Sequence, residues 1–483
     1  MIIMNKNLAK CAYQGTGGMR RFPLLVALLL CGCSLMPGYQ RPAAPIPAAW
    51  PDSVKLKLGA EIKPVTWQDY FADPRLQVLI GTALENNRDL RIATARLSEA
   101  RAQLGLQQAD RLPGVNFTGG RSASLTPAST SVTGREFSNQ RYDLSLSLVA
   151  FELDFWGRVR SLSASANASY LATEEARRAF RLSLIADVAN VYLTTLELGE
   201  RQQFAERTVQ ARAETRELVS RRRDLGASGD IDWLQAEGGY QAALADRANL
   251  QQQLLAAANW LDLLLGQAVS EIKDLPDGQD LAHQHITPQQ LAGLPAEVLL
   301  QRPDVLAAEQ RLIAANANIG AARAAFLPRI SLTGSVGTAS RSLSGLFDAG
   351  SGAWSFQPTL TLPLFDAGRN RANLDLAGAR KIIAVAEYER AIQQAFREVM
   401  DLLSARDKLA ERLAAQQANA DAQAHRLKLV EARYQAGVAN HLDVLDAQRE
   451  HYAAAQNAVQ VRRLWLSAAA QLYKALAGQR AQN

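Results

Sequence analysis

The fold is decided by a stretch of sequence that occurs twice. Residues 111–119 read RLPGVNFTG, and residues 326–334 read FLPRISLTG, 215 positions later. A second match follows at an offset of 211, where FWGR at 155–158 lines up with DAGR at 366–369. Two copies of one structural unit are the simplest explanation of both matches. The sequence therefore predicts an internal duplication.

These matches set the boundaries of the two repeats. We expect the first repeat at 67–270 and the second at 296–478, with a polar connector at 271–295 between them. Each repeat reads helix, strand, strand, long helix, turn, helix. The segment from Leu76 to Leu112 is rich in Ala, Leu, Arg and Gln and lacks proline, which predicts one helix. A proline then ends the first helix of each repeat.

Short segments of alternating apolar and hydroxyl-bearing residues predict two strands in each repeat. The expected strands are at about 114–124, 140–152, 328–338 and 354–364. Pro358 falls inside the last segment and weakens the prediction there. A soluble sandwich shows a similar alternation. However, four strands in two separate hairpins cannot close a barrel within one chain, whereas several chains pooling their strands can.

A helical pattern follows Gly157 and Gly368 and continues for roughly 70 residues, which corresponds to about 100 Å of helix. The second of these helices carries an apolar seam at coiled-coil spacing. Its members are Ile392, Phe396, Val399, Leu403, Ala410 and Leu413. Because a single long helix leaves such a stripe in water, we expect other helices to cover it.

The N-terminus has the pattern of an export signal. Met19-Arg20-Arg21 is positively charged, the run 22–30 is apolar, and LCGC at 30–33 is a small-residue cleavage site. This ending resembles a bacterial lipoprotein signal, which predicts a signal peptide at 1–32 and acylation of Cys33. An ordinary cleaved signal is the alternative. The proline-rich segment 33–66 is expected to be an extended tether.

Removal of the signal changes the chemistry of the chain. Cys11 and Cys31 leave with it, so no disulfide is available to the mature chain. Four cations and no acid are lost, namely Lys6, Lys10, Arg20 and Arg21, which lowers the formal net charge from +6 to +2. A nearly balanced chain lacks the excess positive charge that binds nucleic acid, and we expect no nucleic-acid partner.

The motifs of catalytic and cofactor chemistry are missing from the sequence. We find no phosphate-binding glycine loop, nucleophile elbow or metal-binding helix, and we predict no enzymatic activity and no cofactor. His283 and His285 in the connector suggest a metal site, but no third ligand lies near them, so an exposed loop is the favoured interpretation.

Three motifs carry a resemblance that covers essentially the whole mature sequence. They are CSLMPGYQRP at 33–42, PLFDAGR at 363–369, and the run RYQAGVANHLDVLDAQR at 433–449. In this order they are similar to the bacterial outer membrane factors, the TolC family, and most closely to its lipoprotein branch of OprM or NodT type.

The resemblance implies a complete architecture. The chain would be an α+β membrane protein that forms a homotrimer. Each copy would lend four strands to one 12-stranded outer-membrane β-barrel, which a long periplasmic α-helical barrel continues. The implied partners are a periplasmic adaptor protein, an inner-membrane pump of RND type, and the lipid of the outer membrane. Ser34, after the acylated cysteine, fits a lipoprotein sent to the outer membrane.

The resemblance also places a gate at the periplasmic tip, where the helices turn. It implies that Leu442 and Asp446 project rings into the lumen and that Arg433, Tyr434 and Arg449 hold neighbouring helices closed. A solvated ion pair and a core leucine are the alternative interpretation. Three copies of Asp446 would bring like charges together, raise their pKa and favour cations.

Two other features belong to the same tip. Asp230 and Asp232 are weaker gate candidates in the first repeat, and His441 suggests a dependence on pH. The predicted function is passive export of drugs or other small toxic compounds as the outer component of a tripartite efflux pump. Export of proteins or metal ions is the alternative within transport. A purely structural periplasmic rod is the alternative from another class.

Overall fold

The repeated stretch leads into a β-strand in both copies. The computed structural model describes residues 34–47, 66–286 and 296–476, and the predicted Cys33 anchor lies outside these ranges. Within them, each repeat contains two antiparallel strands followed by a helix of 67 residues and one of 36 residues. The duplicated order predicted from the sequence is confirmed.

The helices and strands are named here in chain order. They are α1 (Trp67–Tyr70), α2 (Pro74–Asn86), α3 (Arg88–Ala109), β1 (Val115–Thr126), β2 (Phe137–Glu152), α4 (Arg158–Asp224), α5 (Asp230–Leu265), α6 (Pro303–Ala324), β3 (Arg329–Ser340), β4 (Gly352–Thr361), α7 (Arg369–Gln435) and α8 (His441–Leu476). Short 3-10 turns occupy Val269–Glu271, Ala296–Gln301 and Ser344–Phe347. None of the helices in the described ranges has an apolar stretch long enough to cross a membrane.

The described residues divide into two compact units. The first unit contains residues 34–39, 103–167 and 313–381, and therefore all four strands. The second contains the remaining described residues, which are almost entirely helical.

The strands of the first unit form one antiparallel sheet in the order β1-β2-β3-β4. The two hairpins were expected to be separate, but β2 pairs with β3 and joins them. One face carries large apolar side chains that remain in contact with solvent: Phe117 is 71% exposed and Trp354 is 79% exposed. The opposite face carries mostly serine and threonine.

A β-bulge in β2 keeps this face continuous. The pairing with β3 shifts by one residue between Leu148 and Phe151, and Ala150 takes a positive φ of 49°. Because side chains alternate along a strand, Phe151 would otherwise turn to the polar face. The extra residue returns Phe151 to the apolar face, opposite Leu332.

Polar side chains stabilise the pairing of β2 with β3 where β2 ends and β3 begins. Glu152 accepts two hydrogen bonds from Arg158, at 2.8 and 2.7 Å, and pairs with Arg329 at 2.7 Å. The Trp156 indole N–H donates to the carbonyl of Pro328 at 2.7 Å. The Glu152 side chain is only 10% exposed, so one mostly buried carboxylate holds two arginines from different elements.

Pro358 lies inside β4 without interrupting it, despite the weak prediction there. It pairs with Leu332. The Leu153 N–H donates to the Ile330 carbonyl, so even-numbered β3 residues such as Leu332 direct their backbone groups toward β2. The missing N–H of Pro358 therefore faces the open edge of the sheet, where the strand loses no bond within the chain.

The single helix predicted from Leu76 to Leu112 was wrong, because it breaks at Asn87. There the backbone takes an extended ψ of 127°. The Asn87 side chain accepts from the Leu90 N–H and donates to the carbonyl of Leu264, both at 2.8 Å. A Cβ on Gly266 would come within 2.4 Å of the Asn86 oxygen, so only glycine permits this approach.

The apolar seam of α7 is covered over only part of its length within the chain. Ile392 and Val399 are fully buried in the second unit, and Leu403 is nearly so. Further along the helix, Ala410 is exposed and Leu413 is half-buried. The chain alone therefore supplies the helical neighbours for the first half of the predicted seam.

Asp73 is the polar centre of the second unit, where it is 1% exposed. One carboxylate oxygen caps α2 through the Arg75 N–H at 2.9 Å. The other accepts from the Tyr192 hydroxyl at 2.8 Å and from the Gln284 amide at 2.5 Å. Burial and the Asp73 hydrogen bond raise the pKa of Tyr192, which stays a neutral donor.

Replacing Asp73 by alanine should destabilise this unit by about 3 kcal/mol or more, because buried donors and the α2 cap lose their acceptor. The apparent Tm of the purified protein measures this effect. Asp69→Ala is the matched control, since Asp69 is exposed in α1 and accepts one exposed hydrogen bond, from Thr66, so its loss should cost no more than about 1 kcal/mol. An equal loss of Tm in both variants would contradict the assigned role of Asp73.

Candidate functional site

The two turns that join the long helices have the same backbone geometry. In the first, the Gly226 N–H donates to the Arg223 carbonyl and the Ala227 N–H to the Arg222 carbonyl. In the second, Gly437 and Val438 donate to the carbonyls of Tyr434 and Arg433. Both glycines have φ above +70°. Each turn is a Schellman motif, in which glycine ends one helix and lets the chain reverse.

Carboxylates cap the helices that leave these turns. Asp232 accepts from the Ser228 hydroxyl at 2.8 Å and from the Gly229 N–H at 3.4 Å. Asp443 holds the N-terminus of α8 through a reciprocal pair of bonds with Asn440. These contacts give Asp232 a structural role at the turn. Asp230 is exposed in the first turn of α5.

Asp446 lies between two arginines. Its Oδ2 accepts from Arg426 on α7 at 2.6 Å, and its Oδ1 accepts from Arg449, one turn further along α8, at 2.7 Å. The hydrogen bond from Arg426 is the largest cause that lowers the pKa of Asp446 below its usual value. Three neighbouring carboxylates, as expected from the sequence, would instead raise the pKa of Asp446. The positive charges of Arg426 and Arg449 oppose that effect.

Tyr434 joins the two repeats through an arginine. Its hydroxyl accepts from Arg222 of α4 at 2.7 Å, and the Arg222 guanidinium lies 5.8 Å from the centre of the ring. The Tyr434 ring also lies near His441, whose ring centre is 5.5 Å away. An aromatic side chain is therefore held between the ends of α4 and α8.

His441 is half-buried, and neither of its ring nitrogens has a hydrogen-bond partner among the described residues. Burial is the main cause that lowers its pKa, and the nearby Arg222 and Arg212 lower it further. Asp232 acts in the opposite direction. These surroundings therefore favour the neutral ring, which packs against Tyr434.

Leu442 and Asp446 lie along one groove of about 610 Å³, which α4, α5 and α8 line. Leu442 is 58% exposed, as expected for a residue that projects from the helix rather than into a core. Arg212 crosses the groove and donates to the Leu445 carbonyl at 3.5 Å. Burial lowers the pKa of Arg212, and the nearby Arg449 lowers it further.

The structure places three of the five predicted gate residues along one groove, namely Leu442, Asp446 and Arg449. Tyr434 lies apart from them, against Arg222 and His441. The Arg433 side chain is exposed and makes no hydrogen bond or ion pair with any residue in the described ranges. Sequence reasoning missed Arg426 and Arg222. Arg426 lies about one helical turn further from the loop than Asp446, nine residues before the end of α7 against five after the start of α8, and its long side chain spans the difference. Arg222 comes from the other repeat, and no local spacing indicates it.

The histidines of the connector do not gather metal ligands. His283 Nδ1 contacts Asp280 Oδ1 at 2.6 Å. No group of three metal-binding side chains occurs within the ranges that the structure describes. The contact with His283 lowers the pKa of Asp280, as for an ordinary exposed pair.

The N-terminal tether is docked where the structure describes it. The Pro37 carbonyl accepts from the Asn316 side chain at 2.8 Å, and Arg41 makes two hydrogen bonds with Glu309, at 2.7 and 2.6 Å. Pro37 and Arg41 are therefore held by specific contacts with α6, within the segment that the sequence predicts to be an extended tether.

The comparisons with known proteins agree on a family. The model of the outer membrane efflux protein family matches residues 79–267 and 294–478. The chain is 46% identical to the outer membrane protein OprJ of Pseudomonas aeruginosa over 431 residues, which cover 89% of each protein. It is 42% identical to the toluene efflux pump outer membrane protein TtgF of Pseudomonas putida, covering 94% of this chain and 96% of TtgF.

A solved structure extends the similarity to the fold. The open-state MtrE outer membrane channel of Neisseria gonorrhoeae is 38% identical and superposes with a TM-score of 0.81. The match covers 92% of this chain and 98% of MtrE. The duplicated helices, the four strands and the paired helical turns described above are thus the architecture of a known class of channels. The chain belongs to the outer membrane efflux protein family.

Proposed function

We propose that this protein is the outer-membrane channel of a tripartite efflux pump and that it passively exports small toxic compounds. The observation that carries the proposal is the sheet of the first unit. Its apolar face is exposed, and its outer strands, β1 and β4, have no neighbour on one side within the described residues. Such a sheet is suited to a lipid environment in which further strands complete it.

A homotrimer satisfies both requirements. Three copies would pool their strands into a 12-stranded barrel, and each open edge would find a partner. The incompletely covered part of the α7 seam supports the same assembly, because helices of neighbouring copies would cover the exposed Ala410 and the half-buried Leu413. The acylated Cys33 would anchor the assembly in the lipid of the outer membrane.

The pump components on the other side are a periplasmic adaptor protein and an inner-membrane pump of RND type. The helical turns at 225–229 and 436–440 carry exposed apolar side chains, including Leu225 and Val438, and form the surface offered to an adaptor. Relatives are named for efflux of toluene, solvents and antibiotics, which favours small apolar substrates for this chain also. Export of proteins or metal ions remains the alternative.

The tip residues would act as the closing contacts of the channel. Asp446 on α8 binds Arg426 of α7 and Arg449 of its own helix. Tyr434 at the end of α7 binds Arg222 of α4, in the first repeat. Opening requires these contacts to separate. Leu442 would then add an apolar ring at the constriction.

Cells that lack this protein should accumulate a fluorescent efflux dye, and a plasmid copy should restore the low level. The variant to compare is one with the tip loop 436–440 shortened, which should behave as the deletion does if the pump docks there. If accumulation stays at the wild-type level in a strain without redundant channels, small-molecule efflux is excluded. Protein secretion and resistance to metal ions would then be measured in the same strain.

Weakening the contacts of Asp446 should open the channel. Asp446→Asn and Arg426→Ala are expected to raise the conductance in planar lipid bilayers severalfold, because the ionic contact between α7 and α8 is lost. Lys408→Ala is the matched control, since Lys408 pairs with Glu411 within α7 alone. Unchanged conductance in both tip variants, with the oligomer intact, would rule out a gating role for Asp446.

Acid should open the tip through His441. Burial lowers its pKa where the ring packs against Tyr434, so a form in which this contact has separated binds a proton more readily and is favoured as the pH falls below about 6.5. We expect the conductance to rise between pH 7.5 and 5, and His441→Gln to flatten this dependence. His425→Gln, an exposed site on α7, is the control. A pH response that persists in His441→Gln would assign it to another group.

A further inference from the structure

The internal duplication relates the four strands in pairs. Gly119 of β1 corresponds to Gly334 of β3, at an offset of 215. Within the hairpins, Gly119 pairs with Leu144 and Gly334 pairs with Phe356, so β2 corresponds to β4 at an offset of 212. Beyond Ala150 this offset falls to 211, because β2 carries the extra residue of its bulge and β4 has no equivalent.

The joint between β2 and β3 has no equivalent within the chain. Its counterpart would join β4 to β1, which lie at opposite edges of the described sheet. By the duplication, the open edge of β4 is equivalent to the edge of β2 that pairs with β3. The open edge of β1 is equivalent to the edge of β3 that pairs with β2. The partner that fits the open edge of β4 is accordingly the β1 strand of a second copy of this chain.

We propose that β4 pairs with β1 of the next copy in the register that the joint between β2 and β3 predicts. In the observed joint, Leu148 lies opposite Gly334 and Tyr142 lies opposite Ser340. The equivalent pairs in the proposed joint are Leu360 opposite Gly119 and Trp354 opposite Leu125. Beyond the bulge, the bond from the Leu153 N–H to the Ile330 carbonyl becomes one from Leu364 to Val115. All these pairs belong to one constant register, so the new joint needs no bulge. The inference rests on the proposed oligomeric channel and specifies its interface.

The direction of the backbone groups supports this register independently. The Ala339 N–H donates to the Ser351 carbonyl, and the Leu153 N–H donates to that of Ile330, so odd β3 residues face β4 and even ones face β2. By alternation, even residues of β4 and odd residues of β1 direct their backbone groups to the open edges. The register pairs even with odd residues throughout. A slip of one residue would oppose groups that point away from each other.

The side chains fit as well. The register places the apolar face of β4 beside the apolar face of β1. Phe356 then lies opposite Ala123 and Leu360 opposite Gly119, where a large residue meets a small one, and Trp354 packs beside Leu125. Leu364 and Phe365, just beyond β4, are 89% and 91% exposed. Their equivalents in the first repeat, Leu153 and Asp154, are half-buried, because β3 and its flanks cover them.

One position in the joint lacks a hydrogen bond. Pro358, whose missing N–H faces the open edge, stands opposite Arg121 in this register. The equivalent pair within the chain is Leu146 and Val336, where an N–H is present. The ladder between copies is therefore weaker by one bond than the ladder that joins the two repeats.

Disulfide trapping tests the register. Ser355 should lie opposite Ser124, and Gln357 opposite Ser122, as pairs whose backbone groups point away from the joint. Such pairs have Cα atoms about 4.5 Å apart, which suits a disulfide. Within one chain these positions are three strand spacings apart, about 14 Å, so a bond between them must link two copies.

The experiment uses four double variants of the full chain in cell membranes. Ser355→Cys with Ser124→Cys, and Gln357→Cys with Ser122→Cys, should give a covalent ladder that ends at the trimer and collapses on reduction. Ser355→Cys with Ser122→Cys, and Gln357→Cys with Ser124→Cys, are the matched controls. They reuse the same cysteines two residues out of register and should stay largely monomeric. The wild-type chain controls for bonds through its own cysteines.

The outcomes separate the register from the oligomer. The mass of the reduced, detergent-solubilised variants shows whether they assemble. Trimers whose shifted pairs link as well as the predicted pairs, or whose predicted pairs fail to link, would overturn the register and leave the channel proposal standing. A monomeric wild-type protein would remove the proposed oligomer, and the interface with it.

Discussion

Strand β2 pairs on both sides, and the rest of the first unit depends on its contact with β3. Without that ladder, each repeat would hold an isolated hairpin, which has little stability of its own. With it, the two copies of the repeat form one sheet whose apolar face is continuous. The bulge at Ala150 shifts the register of this pairing by one residue. The last residues of β2, before α4, therefore stay on the same faces of the sheet as their neighbours in β3.

Much of this architecture could be read from the sequence. Alternating Leu and Ser in 142–148 specifies a strand, and a pattern of roughly 70 helical residues after Gly157 specifies α4, because both signals are long and periodic. The Schellman turns follow from Gly226 and Gly437, since glycine is the residue that accepts their φ. The family resemblance, drawn from three short motifs, agrees with the matched relatives over most of the chain.

The features that were missed depend on contacts between segments far apart in sequence. Asn87 breaks a helix that composition favours, because its amide finds the end of α5, and no local pattern records that neighbour. Arg426 reaches Asp446 across a helical hairpin, and Arg222 reaches Tyr434 from the other repeat. The sequence therefore identified Asp446 as a gate candidate but did not identify Arg426, which pairs with it. The lowered pKa of Asp446 follows mainly from Arg426, whereas its identity as a candidate came from the resemblance.

The contacts of Glu152 distinguish the joint inside the chain from the joint proposed between chains. In the second repeat the duplication places Pro363 where Glu152 stands and Ala367 where Trp156 stands, and Gly114 takes the place of Arg329. The joint inside the chain therefore has polar contacts that the proposed joint between β4 and β1 lacks. In the proposed oligomer, a newly exported chain would complete its own sheet before it pairs with other copies. Maturation would then be limited by encounter between folded chains, and its rate would depend on how many of them are in the periplasm at once.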